Sequence, residues 1–301
     1  MSQFQVFTYQ FREFRREPGE QTSLFDPFSN ISHEELMKRK QDLFEQEWKD
    51  EKEWKFMYKG KEYVHKLLEI KDHIIVFRIA NNRKIRREEN FKIVELANRP
   101  SCMVIIDNRH DRQQIAIQKN TAFSKQTRVA EILQEAFSER MKRHKLVVDI
   151  NARYEVREFW KIINKNPTGV RSLKFTFTPR NLPWLAGNVK RLFNDLGDEF
   201  HGLPELEMKS LDKVPLVISS DSAVLKEFLD VSSASGMPII ICFFNTKTPV
   251  TCGKKTCIMI SLDKRVINKI DKARLATNDE IPEKVWEAII ECVNENKILN
   301  S

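Results

Sequence analysis

The stretch HIIVFRIANNRKIRREENFKIVELANRPSCMVIIDNRHDRQQIAIQ, His73–Gln118, decides the fold class. Its apolar runs "HIIVFRI", "FKIVEL", "SCMVIID" and "QQIAIQK" are short, rich in Ile, Val and Phe, and bounded by Asn, Asp, Arg and Pro, the pattern of strands joined by polar turns. With "EYVHKLLEI" just upstream they predict an antiparallel β-meander with connections of hairpin length. Between the first two runs, Arg83, Lys84, Arg86 and Arg87 read as a basic surface loop. The segment "TRVAEILQEAFSERMKRH" then carries Val129, Ile132, Leu133, Ala136 and Met141 at helical spacing and closes the region near residue 144.

Towards the N-terminus, residues 2–14 read as a strand, followed by a loop punctuated by Pro18, Gly19, Asp26 and Pro27. Ser32 and Glu35 form a capping box that opens a helix over about 33–55, amphipathic and heavily charged. Trp48 and Trp54 on it would form a docking strip with Phe44 if exposed, and otherwise pack on the sheet. After residue 144, strands alternate with helices: strands at 145–150, 172–179, within 205–217, 237–244 and 256–262, and helices at 154–164, 185–199, 222–232 and 281–296. The expectation is an α+β protein, an N-terminal β-meander domain with a charged helix (1–144) packed on a C-terminal α/β domain with a mixed sheet (145–301).

The 301 residues include only 8 glycines, against a usual share of about 7%. There is no GxGxxG, no GxxxxGK[ST], no GxSxG and no HExxH, so P-loop, nucleophile-elbow and zinc-protease chemistries drop out. Five scattered cysteines suit free thiols in a reducing compartment, and no apolar run has the roughly 20 residues of a membrane span, so a cytoplasmic protein is expected. Cys252 and Cys257 in "CGKKTC" lack a second ligand pair for zinc and read as a turn, and no resident cofactor is expected.

The net charge is +8, and residues 73–128 alone hold twelve basic against five acidic residues. Gathered on one rim, such loops would draw phosphates by counterion release, which makes nucleic acid the expected partner. The phosphate-contact candidates are Arg83, Lys84, Arg86, Arg87, Arg109 and Arg112. Aromatic residues interleave with basic ones in "FREFRREP" (Arg15, Arg16) and "KFTFTPRNLPW" (Arg180), where Phe175 and Phe177 read as core. Asp107 and Asp149 follow apolar strands, and a metal-dependent nuclease would use Asp107 and Asp111 as oxygen ligands, with a divalent metal, and Lys119 for charge. His110 has the chemistry of a metal-free general acid or base, and Arg140 and His144 have a helical ribonuclease spacing without its polar neighbour. Asp107–Asn108 is equally a tight-turn pair, and Ser220 or Asp221 an N-cap.

The order "VFRIAN…NFKIVELANRPSCMVIIDNRHDRQQIAIQ" followed by "YEVREFWKIIN", over residues 70–180, resembles uncharacterised bacterial proteins encoded among mobile-element and phage-defence genes. The resemblance implies an accessory sensor, effector or partner of a larger complex and assigns no residue a role. The expectation is a nucleic-acid-binding accessory component of antiviral defence. Its alternatives are the nuclease and a protein-interaction component that docks an acidic partner.

Overall fold

The computed structural model describes residues 1–14, 32–49, 54–89, 91–110, 112–177, 203–253 and 256–294. The expected helix at 185–199 lies outside them, as do Asp111, Arg15, Arg16 and Arg180. The protein is α+β, with several antiparallel sheets and a β-rich N-terminal region. No helix among the described residues is long and apolar enough to cross a membrane. The chain forms two compact units, one of Met1–Ile150 with Met259–Asn296 and one spanning Asn151–Ile258.

The first unit begins with β1 (Ser2–Glu13), α1 (His33–Lys49), the small hairpin of β2 (Phe56–Tyr58) and β3 (Lys61–Tyr63), and then β4 (His65–Lys71) and β5 (Ile74–Ala80). It continues through β6 (Arg83–Glu89), β7 (Lys92–Asn98), β8 (Ser101–Asp107), β9 (Gln114–Gln118), α2 (Gln126–Met141) and β10 (Leu146–Ala152). The second unit contains α3 (Arg157–Asn164), β11 (Val170–Thr176), β12 (Glu205–Lys209), α4 (Ala223–Ser235), β13 (Ile239–Phe243) and β14 (Val250–Cys252). The chain then re-enters the first unit with β15 (Met259–Leu262), α5 (Lys264–Asp271) and α6 (Glu283–Asn294).

The main sheet has the order β10-β1-β9-β8-β5-β4, with β15 also paired to β1 from Ser2↔Leu262 to Gln5↔Met259. This differs from a division at 144/145. β10 and β15 both belong to the first sheet, because strand partners are set by register and not by the alternation of strands with helices. The meander is also interrupted. β5 pairs directly with β8, from Ala80↔Ser101 to Ile74↔Asp107, and β6 and β7 form a separate two-stranded ribbon between them.

Both faces of the main sheet are covered, which is why β8 is a continuous apolar run. Successive residues of β5 show the two covers, since neighbouring side chains point to opposite faces. Phe77 packs on Trp48 of α1 at 4.7 Å between ring centroids. Arg78 holds Asp271 of α5 by two hydrogen bonds of 2.8 and 2.7 Å. Around Trp48 gather Phe44, Trp54, Phe56 and Phe137 in edge-to-face and tilted contacts. Trp48 is 0% and Trp54 5% exposed, so they are core and form no docking strip. On the other cover, Trp286 of α6 is buried and donates to Asp72 at 3.3 Å.

The second unit's sheet has the order β12-β11-β13-β14, and its three pairings are antiparallel where strand–helix alternation had suggested a mixed sheet. Leu173 and Phe175 of β11 and Phe177 beyond it are buried against Leu225, Phe228 and Leu229 of α4, as their alternation predicts. The turn after β14 is tied down by Glu158 of α3, whose carboxylate accepts from Gly253 N at 3.2 Å and from Thr256 N at 2.9 Å. Gly253 has φ +100°, and a Cβ there would meet the Tyr154 ring at 2.8 Å, so this turn requires glycine. The Cys252 thiol is buried and pushed up to about 12, chiefly by burial, and all five cysteines are reduced thiols.

Candidate nucleic-acid interface

The four basic residues expected on a loop lie instead on a strand. β6 and β7 pair from Arg83↔Asn98 to Glu89↔Lys92, and among the described elements neither strand joins the main sheet. Charge did not prevent strand formation because a ribbon with two solvated faces has no core side to keep apolar. Arg83–Arg99 holds six basic residues (Arg83, Lys84, Arg86, Arg87, Lys92, Arg99) against Glu88, Glu89 and Glu95.

The ribbon's root is tied to its surroundings by hydrogen bonds. Asn81 N donates to Pro100 O at 2.9 Å, and Asn81 Nδ2 donates to Ala122 O at 2.8 Å. Asn82 Nδ2 donates to Glu62 O, and Asn120 Nδ2 to Ser101 O at 2.9 Å. Beyond the root the ribbon presents apolar side chains to solvent. Ile85 and Leu96 stand opposite each other at 48% and 45% exposure, Ile93 is 73% exposed and Phe91 is 97% exposed. Phe91 occupies the tip with φ +62°. That left-handed backbone costs an ordinary side chain about 1 kcal/mol, and glycine is the usual occupant of such a turn. The charges are plain in the sequence, whereas Phe91 is not. The available signal was the pair Asn90-Phe91 standing where a hairpin turn favours Asn-Gly.

The six phosphate-contact candidates do not converge. Arg83, Lys84, Arg86 and Arg87 leave the sheet at the Ala80↔Ser101 end, whereas Arg109 and Arg112 follow Asp107 at the Ile74↔Asp107 end. Six strand steps separate the two ends, roughly 20 Å. Arg109 is further committed: its Nε and Nη2 donate to Asp107 at 2.8 and 2.6 Å, and Nη2 also donates to Asn294 at 2.9 Å. Arg112 is half-buried, and Lys119 is exposed at the ribbon-root end of β9.

Of the nuclease candidates, the described ones, Asp107, His110 and Lys119, can be placed. Asp107 is 0% exposed, both its oxygens accept from Arg109, and Arg109 N adds a turn contact at 3.3 Å. Asn108 accepts from Tyr9 Oη at 2.5 Å and donates to Gln41 O at 2.9 Å. Both side chains of the pair are thus taken up in hydrogen bonds at the turn. Lys119 lies at the opposite end of the β8–β9 hairpin, since Asp107 pairs with Gln114. His110 is exposed on this turn, and Asp149 pairs with Arg12. Among the described residues, no group of three His, Cys, Asp or Glu side chains gathers as a metal site requires.

Arg140 and His144 gather on a buried carboxylate. With Arg143 they surround Glu47, a carboxylate of α1 that is 1% exposed and accepts from Arg140 Nε at 2.5 Å and from Arg143 Nε at 2.7 Å, with His144 Nε2 in contact. Burial pushes this carboxyl up, but the hydrogen bonds from His144, Arg143 and Arg140 outweigh it and hold the group at about 2.

No family model and no curated protein matches the chain.

Proposed function

We propose that the β6–β7 ribbon binds nucleic acid and that the protein serves as a non-catalytic recognition or sensor component. One observation carries the reading: a two-stranded ribbon stands clear of its sheet, bears a basic excess and ends in a solvated phenylalanine. A ribbon of this width fits the major groove of a duplex, and its arginines and lysines would lie along the flanking phosphates. Phe91 is the group that would meet a base face or wedge a base step. In this reading Arg83, Lys84, Arg86 and Arg87 are the phosphate contacts, whereas Arg109 neutralises Asp107. The proposed setting is the cytosol, in keeping with five reduced cysteines.

The test is fluorescence anisotropy with labelled double- and single-stranded DNA and RNA across a salt series. Binding is expected to weaken linearly in log–log form, with a slope of about −0.9 per duplex phosphate neutralised. Arg83→Ala combined with Arg86→Ala should shallow that slope by roughly two such increments. Phe91→Ala should weaken binding and leave the slope unchanged. No binding in dilute buffer, or wild-type binding by both variants, rejects the reading. The exposed Ile85–Leu96 pair supports a second reading, docking of an acidic protein. Co-purification that survives nuclease treatment and is lost with Ile85→Asp would favour it.

A further inference from the structure

We infer that the second unit contains a separate site for a small phosphate monoester, on the sheet face opposite α4. A pocket of ≈ 470 Å³ opens there, within the size range of small-ligand sites. Its floor is a row across three strands: Lys209 of β12 stands opposite Ser172 of β11, and Ser172 opposite Cys242 of β13. Arg171 joins the row through a β-bulge, since the β11–β13 register shifts between Val170 and Ser172. Bulges commonly re-aim a side chain in this way beside a binding site. Lys213 and Ser210 complete the polar wall, and Phe244 supplies an apolar edge.

The wall is built in advance of any ligand. Ser210 N donates to Arg171 O at 2.8 Å and Leu216 N donates to Val170 O at 2.9 Å, so the loop between them is anchored at both ends to the bulge. Within it Asp212 and Lys213 both have left-handed backbone, φ 49° and 63°, a costly conformation for two consecutive non-glycine residues. Pro215 seats the loop on Gly169, where a Cβ would lie 2.5 Å from the proline ring. The pocket is lined by three cations and one carboxylate, and Glu207 offsets one charge by pairing with Lys209 at 3.0 Å, which leaves an excess of two positive charges. An arginine, two lysines and two hydroxyls suit a phosphate, and Phe244 suits the group it carries.

Cys242 lines the pocket and is half-buried, so its alkylation reports occupancy. In the full chain carrying Cys257→Ser, the remaining cysteines Cys102, Cys252 and Cys292 are buried. Iodoacetamide labelling of Cys242 would be followed by mass spectrometry with adenosine monophosphate, inorganic phosphate or adenosine. At about ten times its Kd, adenosine monophosphate should slow labelling about tenfold. Inorganic phosphate should protect at higher concentration, and adenosine should not. Arg171→Ala and Lys213→Ala should each abolish protection while leaving the unprotected rate and the circular dichroism spectrum unchanged. Equal rates with and without adenosine monophosphate, equal protection by adenosine, or protection retained in both variants overturns the proposal.

Discussion

Glu47 and His65 give the first unit a graded sensitivity to acid. The Glu47 carboxyl falls from an ordinary 4.5 to about 2 in the fold, so its ion cluster contributes fully above pH 4.5 and is lost as pH falls towards 2. His65, stacked on Phe56 at 3.8 Å, is held neutral by burial, which lowers it from 6.5 to about 4. The unfolded chain therefore takes up that proton first, and stability declines from pH 6.5 towards 4. Replacing His65 with Phe should flatten denaturant-measured stability across that window while leaving the Glu47 decline below pH 4.5. Arg109 sets a different kind of constraint. Arg109→Ala would strand the buried Asp107 carboxylate, and equilibrium unfolding should show a loss of about 3–5 kcal/mol, whereas an exposed phosphate-binding arginine would cost almost nothing.

At the scale of elements, the ribbon is an excursion whose two ends are hydrogen-bonded neighbours. Linking Asn81 to Ser101 through one glycine would leave Asn-Gly between the paired Ala80 and Ser101, a favoured two-residue hairpin turn. This ribbonless chain should keep its unfolding free energy to within about 1 kcal/mol, as measured by urea titration, and lose the proposed nucleic-acid binding altogether. Phe91→Gly should slow hydrogen exchange of β6 and β7 amides by relieving the tip, and at the same time weaken binding. These elements were unevenly legible in the sequence. β5, β8 and β9 were plain because each is a compact apolar run, and Phe175 and Phe177 because they alternate. β6 was hidden by its arginines: period-2 patterning identifies a strand only when one face is buried, and neither face of the ribbon is. α4 begins one residue later than its Ser-rich lead suggested, with Ser222 as the cap accepting from Leu225 N at 3.3 Å.

For the molecule as a whole, the sequence conveyed the α+β class but not the connectivity, because an apolar strand such as "MISL" carries no address for its partner. β15, α5 and α6 complete a sheet begun by β1, and they bury Ile260, Leu262, Ile270, Trp286 and Ile289. A chain truncated after Ile258 should accordingly lose cooperative unfolding and bind the dye ANS, since one face of the main sheet would lie bare. The arrangement also sets an order of events at the ribosome. The whole of 151–258 is synthesised while the earlier sheet still awaits its last strand and two helices. During that interval the nascent chain displays an open β-surface, the kind of transient species that chaperones engage.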